Sequence, residues 1–253
     1  MENQLIKLFY KAEDSFFSNV SSDTIIFNEY AKSYITGVPA EGLNILSCPK
    51  ISDDFSIIVT KAINKYSQLD LPWILVTKAE NCNEQNYQIL ADLGLNEIDE
   101  STAMFINLDG NIETSITDLQ FIEDGSNLNV WRIPLTEAFE ANNEIMDSYV
   151  KAHQRFKANE GKMFHYVGLL DGVSIVSCTI SIFDNIARID DVGTLPEYQN
   201  KGYATAIIKH GLSKAKEEGA AFCFLEASKQ GLGIYKKIGF EEIFINKVFK
   251  LGS

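Results

Sequence analysis

The sequence predicts an α/β protein with a mixed sheet, organised in two halves. Three observations carry that expectation. Helix-period and strand-period apolar patterns alternate along the chain. The second half holds an antiparallel meander followed by a helix and one further strand. A helix–glycine–strand unit occurs once in each half. The length of 253 residues suits one large domain or two modest ones, at about 150 residues per domain.

Composition narrows the classes. Hydrophobic residues make up 45% and charged residues 23%, an ordinary globular balance that excludes collagen, coiled coil and general disorder. The net charge of −13 repels phosphate backbones, so nucleic acid is not an expected partner. A cationic partner remains compatible with it, beside the plainer reading of acidity as solubility. No stretch reaches the ~18 apolar residues of a membrane helix. The opening Met1-Glu2-Asn3-Gln4-Leu5 lacks the basic and apolar regions of a secretory leader. A cytoplasmic protein without membrane association is the expectation. Cys48, Cys82, Cys178 and Cys223 form no CxxC pair and read as free thiols. His153, His165 and His210 have no HExxH-type neighbours, so no metal site is expected.

The elements follow in order. Residues 1–20 read as an amphipathic helix with Leu5, Leu8, Phe9, Phe16 and Phe17 on one side. Thr24 to Asn28 is a short strand, Gly37-Val38-Pro39 and Glu41-Gly42 are turns, and Asn44 to Cys48 is a strand. Asp53 to Tyr66 is a helix with Ser52 as its cap and Phe55, Ile58, Val59 and Ile63 in one stripe. Trp73 to Val76 is a buried strand, a helix through Tyr87, Leu90 and Leu93 stops at Gly94, and Met104 to Leu108 is a further strand. Residues 109–127 are rich in Asp, Asn, Gly and Thr and read as the connection between halves.

In the second half, Asn129 to Ile133 reads as a strand. Pro134 to Val150 reads as a helix capped by Thr136. Met163 to Leu170 and Val173 to Ile182 form a hairpin about Asp171-Gly172. Ile186 to Thr194 is the third strand of the meander. A helix from Gly202 to Glu218 leads to a strand, Ala220 to Ala227, which should run parallel to the previous one in a right-handed crossover. A short helix, Gly233 to Ile238, ends at Gly239, and Phe240 to Leu251 is the last strand.

One segment carries chemistry: Thr194-Leu195-Pro196-Glu197-Tyr198-Gln199-Asn200-Lys201-Gly202-Tyr203-Ala204-Thr205. Pro196 breaks a strand, and a helix opens near Gly202. Free amides at a helix start, with the positive end of its dipole, form an anion site. Gly202 lets an anion approach the backbone, Ala204 is small, and Lys201 adds positive charge. Some thirty residues later comes Ile234-Tyr235-Lys236-Lys237-Ile238-Gly239-Phe240.

This arrangement resembles the GNAT superfamily of acetyl-CoA-dependent N-acetyltransferases, over residues ~128–251. The resemblance implies a GNAT fold and acetyl-CoA as co-substrate. It implies that the backbone of Val192, Gly193 and Thr194 holds the pantetheine arm. It implies that Gln199, Asn200, Lys201, Gly202, Tyr203, Ala204 and Thr205 hold the pyrophosphate. Tyr235 stands where the family often protonates the departing thiolate, and a phenol of ordinary pKa near 10 can donate at neutral pH. The strand before that helix often leads to a CoA-contacting Asn; here the run is Glu226-Ala227-Ser228-Lys229-Gln230, with Ser228 or Gln230 as substitutes. Candidate bases for the amine are Asp190, Asp191, Glu226 and His165, or a water chain. Strand alternation sends Asp190 and Asp191 to opposite faces, so that at most one faces the site.

The repeat extends the resemblance to the first half. Ile89-Leu90-Ala91-Asp92-Leu93-Gly94-Leu95-Asn96-Glu97-Ile98 parallels Ile234 to Ile243, and Trp73 to Val76 parallels Ala220 to Leu225. Residues 1–122 are therefore read as a degenerate GNAT-like domain and 123–253 as the acetyl-CoA-binding catalytic domain. The first lacks the glycine loop and carries Asp53-Asp54 where an anion would sit. The expected function is acetyl transfer to a small-molecule or peptide amine by direct attack. A non-catalytic acetyl-CoA sensor is the alternative, and a homodimer is left open.

Overall fold

Phe9, Ala12, Phe16 and Val20 are buried at helical spacing along α1 (Glu2–Val20), which fixes the face this helix turns to the sheet. The computed structural model describes residues 2–110, 112, 117–156 and 161–252. The first half continues with β1 (Asp23–Asn28), β2 (Ala31–Ile35), β3 (Asn44–Cys48), α2 (Phe55–Leu69), β4 (Ile74–Lys78), α3 (Glu84–Asp92) and β5 (Leu95–Asn107). The second half holds β6 (Gln120–Glu123), α4 (Arg132–Ala138), α5 (Asn143–His153), β7 (Lys162–Leu170), β8 (Val173–Phe183), β9 (Ile186–Thr194), α6 (Tyr203–Glu217), β10 (Phe222–Ser228), α7 (Leu232–Ile238) and β11 (Glu241–Leu251).

All eleven strands form one mixed sheet, in the order β1-β2-β3-β4-β11-β5-β10-β9-β8-β7-β6. The internal repeat is borne out. β3 and β4 pair in parallel across α2, as β9 and β10 do across α6. Each half then adds a short helix and a last strand, and those last strands are exchanged. β11 lies antiparallel between β4 and β5, and β5 lies antiparallel between β11 and β10. One apolar core lies under α6 and α7, another under α2 and α3. On the opposite face α1 packs across β8, β9 and β10, so a helix of the first half covers strands of the second.

Several expectations need correction. Asn129 to Ile133 is not a strand. Asp124 Oδ2 accepts the Val130 and Trp131 amides, both at 2.8 Å, and so starts a helical turn. The strand that pairs with β7 is Gln120–Glu123, within the segment read as a connection; residues 111 and 113–116 of that segment lie outside the described ones. The helix expected over Pro134 to Val150 is two, α4 and α5. Thr136 does not cap it, because its hydroxyl donates to the Arg132 carbonyl, whereas Asn142 accepts the Ile145 amide at 2.9 Å and caps α5. Ser52 gives α2 no side-chain cap; its hydroxyl donates to Asp54. β2 is an element the turn-rich sequence concealed.

Candidate functional site

β9 and β10 pair only from Ile186 to Arg188 against Phe222 to Phe224. Beyond that they splay, and the β9 backbone from Ile189 to Thr194 has no strand partner on its β10 side. The opening is a cleft of about 760 Å³. Its walls include β9, the start of α6, the end of β10, and α7. Ala138, the last residue of α4, and Phe139 after it also line the opening, a contribution no motif announced.

The α6 start fits an anion. Gly202 caps the helix at φ +87, the left-handed region that favours glycine, and a Cβ there would meet nothing within 4 Å. Asn200 is also left-handed, at φ +60. Among the described residues, the amides of Asn200, Lys201, Gly202, Tyr203, Ala204 and Thr205 donate to no protein acceptor; the first α6 bond comes from Ala206, to the Gly202 carbonyl at 3.0 Å. Free amides at a helix start, five of whose residues (Asn200 and Gly202 to Thr205) line the cleft, together with the helix dipole suit a pyrophosphate.

Of the residues the sequence singled out, Val192, Thr194, Gln199, Asn200, Gly202, Tyr203, Ala204, Thr205 and Tyr235 line this one cleft. Gly193 does not line it. Its Cα faces Leu135, and a Cβ would come within 2.7 Å of Leu135 Cδ2, so the glycine serves close packing of α4 on β9. Lys201 turns away, its ammonium 5.2 Å from the centre of the Tyr198 ring. Gln199 ties the loop back, its amide donating to the Thr194 carbonyl at 3.2 Å. Ser228 and Gln230 line the cleft where a CoA-contacting Asn was sought. Tyr235 stacks edge-on against Phe240 at 5.7 Å, and burial, then the nearby Asp190 carboxyl, push its phenol above the ordinary value. It is held as a protonated donor.

Three carboxyl residues line the cleft floor: Asp190, Asp191 and Glu226. The alternation argument fails for the first two. Ser177 pairs with Gly193 and Thr179 with Asp190, so Asp191 and Val192 together face one residue of β8, and Asp191 takes φ +55. This bulge turns both aspartates to the side of α1 and α5. Arg188 Nε lies 3.0 Å from both oxygens of Asp190, and its buried guanidinium sits among the rings of Phe9, Phe16 and Phe17. Burial pushes Asp190 up to about 7 against the pull of Arg188, and Asp191 up to about 6. Glu226 accepts the Ser101 hydroxyl and the Asn246 amide. His165 is not in the cleft; it sits on the far side of His153, from α5. Sequence reasoning missed Arg188, Tyr149 and His153, which reach this floor only through the fold.

A parallel strand pair splayed over a helix whose free amides close the opening is the architecture of GNAT acetyltransferases. Residues 128–240 match the model of the acetyltransferase (GNAT) family. The whole chain is similar in fold to several solved structures. One is a GCN5-related N-acetyltransferase from Kribbella flavida, at 13% identity and TM-score 0.72, covering 97% of this chain and 96% of that one. Another is a functionally unknown conserved protein from Staphylococcus epidermidis ATCC 12228, at 15% identity and TM-score 0.67, covering 92% and 96%. A third is a tandem GNAT protein from the clavulanic acid biosynthesis pathway, at 11% identity and TM-score 0.61, covering 100% and 95%. At these identities the likeness concerns the fold. No curated protein matches the chain.

Proposed function

We propose that the second half, residues 123–253, transfers an acetyl group from acetyl-CoA to an amine by direct attack in a ternary complex. The observation that carries this reading is the set of amides at the α6 start without protein acceptors among the described residues, of which Asn200 and Gly202 to Thr205 belong to residues lining the same cleft as Tyr235. Those amides would hold the pyrophosphate, and the unpaired edge of β9 about Val192 to Thr194 would bond the pantetheine arm. Backbone N–H groups at the bulge, near Val192 or Gly193, would stabilise the developing oxyanion. Tyr235 would protonate the leaving thiolate.

The first half, residues 1–122, does not bind CoA in this reading. α2 begins at Phe55 after Asp54, without a left-handed glycine, and Asp53 and Asp54 would repel a pyrophosphate. Its part is to shape the acceptor side, since α1 lies against β9. The acceptor is a small-molecule or peptide amine. Neither nucleic acid nor a membrane is involved. No helix among the described residues is long and apolar enough to cross a membrane.

The test is an amine panel with acetyl-CoA and detection of free thiol. Acetylation of at least one amine, lost in Gly202→Asp, supports the reading. CoA binding without turnover on a broad panel would favour a non-catalytic acetyl-CoA sensor instead.

A further inference from the structure

The floor of the cleft offers three carboxyl groups, which differ in how their oxygens are held. Both oxygens of Asp190 contact Arg188 Nε. Glu226 Oε1 takes two donors, Ser101 and Asn246, while its Oε2 takes none among the described residues, and no histidine stands behind it. Asp191 differs. Its Oδ1 accepts the Tyr149 hydroxyl at 2.6 Å and keeps a second lone pair. Among the described residues its enclosed Oδ2 has no hydrogen-bond partner within bonding distance; the Thr179 hydroxyl lies beside the carboxyl, and His153 Nε2, also enclosed and without a partner, lies 3.5 Å from Oδ2. His153 Nδ1 lies 2.9 Å from His165 Nε2. The result is a buried line of three titratable groups, Asp191, His153 and His165, starting at the cleft and leading away from it.

We infer that Asp191 takes the proton of the acceptor amine, and that the His153–His165 pair positions it for that task. The inference rests on the acetyl-transfer reading above. Asp191 immediately precedes Val192, on the bulge where the acyl group is expected to lie. Its left-handed backbone is an uncommon conformation outside glycine, and such strain concentrates at functional positions.

The proton count closes. As the amine nitrogen bonds to the thioester carbon, its N–H bonding pair stays on nitrogen and the proton passes to Asp191 at Oδ1. The C–S bond breaks with its electron pair on sulfur, and the Tyr235 phenol protonates the thiolate. Asp191 afterwards returns one proton to solvent and Tyr235 recovers one.

The histidine pair sets the state in which Asp191 waits. Burial pushes both imidazoles down to about 3, so each is neutral and carries one proton. Only one proton fits between the two rings. When His165 donates it, His153 must carry its own proton on Nε2, aimed at Asp191 Oδ2. The opposite tautomer would turn a bare lone pair toward a carboxylate, which is repulsive. A His165 that donates to His153 Nδ1 thus holds the tautomer whose Nε2–H faces Asp191 and favours its ionised form through space, while Tyr149 donates to Oδ1. The other titratable or charged groups near this line are Arg188 and Asp190 on β9, the Cys178 thiol opposite the bulge on β8 and, beside His165, Asp124.

The experiment is the pH profile of kcat/KM with acetyl-CoA and the best amine of the panel, together with a carboxyl-carbon NMR titration of Asp191. The parent should show an ascending limb near the value burial gives Asp191, about 6. Asp191→Asn should lower kcat by about 10²–10⁴-fold, abolish that limb, and still be stabilised by CoA as the parent is. His165→Leu removes the partner of His153 Nδ1, frees the ring to turn its lone pair toward Asp191, and should raise both the limb and the NMR midpoint by roughly one pH unit. His165→Gln keeps a donor and should restore both. The inference fails if Asp191→Asn retains kcat within about threefold, or if His165→Leu leaves both midpoints in place. A parent that binds CoA but acetylates no amine overturns the acetyl-transfer reading and the proton role with it. The NMR shift in His165→Leu then still reports whether the histidines control Asp191.

Discussion

Gly202→Asp separates an effect on the fold from an effect on the site. Gly202 sits at φ +87 with open space where a Cβ would go, so no neighbour must move. What remains is the left-handed backbone, which costs an L-residue roughly 1–2 kcal/mol and Asp rather less. For a chain of this size that lowers Tm by about 2–4 °C per kcal/mol. The added carboxylate acts on the ligand. Placed about 5 Å from one phosphate charge, it repels by about 3 kcal/mol at an effective dielectric constant of 20, and by about 0.8 kcal/mol if fully solvated. CoA affinity should therefore fall by about 4-fold to 200-fold, with the loss shrinking at high salt. Gly219 supplies the control. It lies just past the other end of α6, at φ +90, and a Cβ there also meets nothing within 4 Å. Gly219→Asp should show a comparable fall in Tm and an unchanged Kd by calorimetry. A Gly202→Asp variant that binds CoA within about threefold of the parent would refute the assignment of the α6 start as the pyrophosphate site.

Tyr235→Phe keeps the ring and its contact with Phe240 but removes the donor. Turnover should fall by about 10²-fold, the lower end for general-acid loss because a thiolate is already a good leaving group, while CoA affinity stays within about tenfold. Unchanged turnover would make another group the acid. Calorimetric titration should find one CoA per chain, and a stoichiometry of two would mean that the acidic α2 start does bind the cofactor. For acid stability, His153 and His165 fall from an ordinary 6.5 to about 3 on folding. Between those values only the unfolded chain binds the proton, so their contribution is complete above 6.5 and is lost as pH falls toward 3. The raised carboxyls Glu13, Asp190 and Asp191 act oppositely, losing stability as pH rises through 6–7. Comparing each chain with itself removes that background: His153→Gln should lose less stability than the parent between pH 6.5 and 5 in urea unfolding, by up to about 2 kcal/mol. Equal losses would contradict the buried neutral state of this ring.

The anion site was legible in the sequence because it is local. Pro196, Gly202 and Ala204 dictate a strand end, a left-handed cap and a small helix start within ten residues of chain. The surroundings of the carboxyl floor were not: Asp190, Asp191 and Glu226 stand out as acids, but Arg188, Tyr149 and His153 reach them from β9 and α5 only through the fold. No spacing links His153 to Asp191, and the bulge at Asp191 cancels the alternation on which the facing of Asp190 and Asp191 was judged. The error at Asn129 to Ile133 has a similar origin. Val-Trp-Arg-Ile has strand character, but Asp124 caps its amides and Leu128 takes φ +53, so the chain turns into α4 instead. The helix–glycine–strand units reveal the repeat of the two halves but not which strand joins which neighbour.

The exchange of last strands determines when this protein can fold. Asn107 finds its partner only at Phe222, and Leu95 only at Leu251. During synthesis β5 therefore leaves the ribosome with neither neighbour made, and β4 waits with an open edge for β11. Pairings this distant slow folding, and open edges invite association with other chains. The first half cannot become a stable body ahead of the second, as independent tandem domains would. Nor is the family match an excisable unit, for a fragment of residues 128–240 contains neither β5 nor β11. The two halves resemble duplicated domains in pattern, yet they must fold and unfold as one cooperative unit.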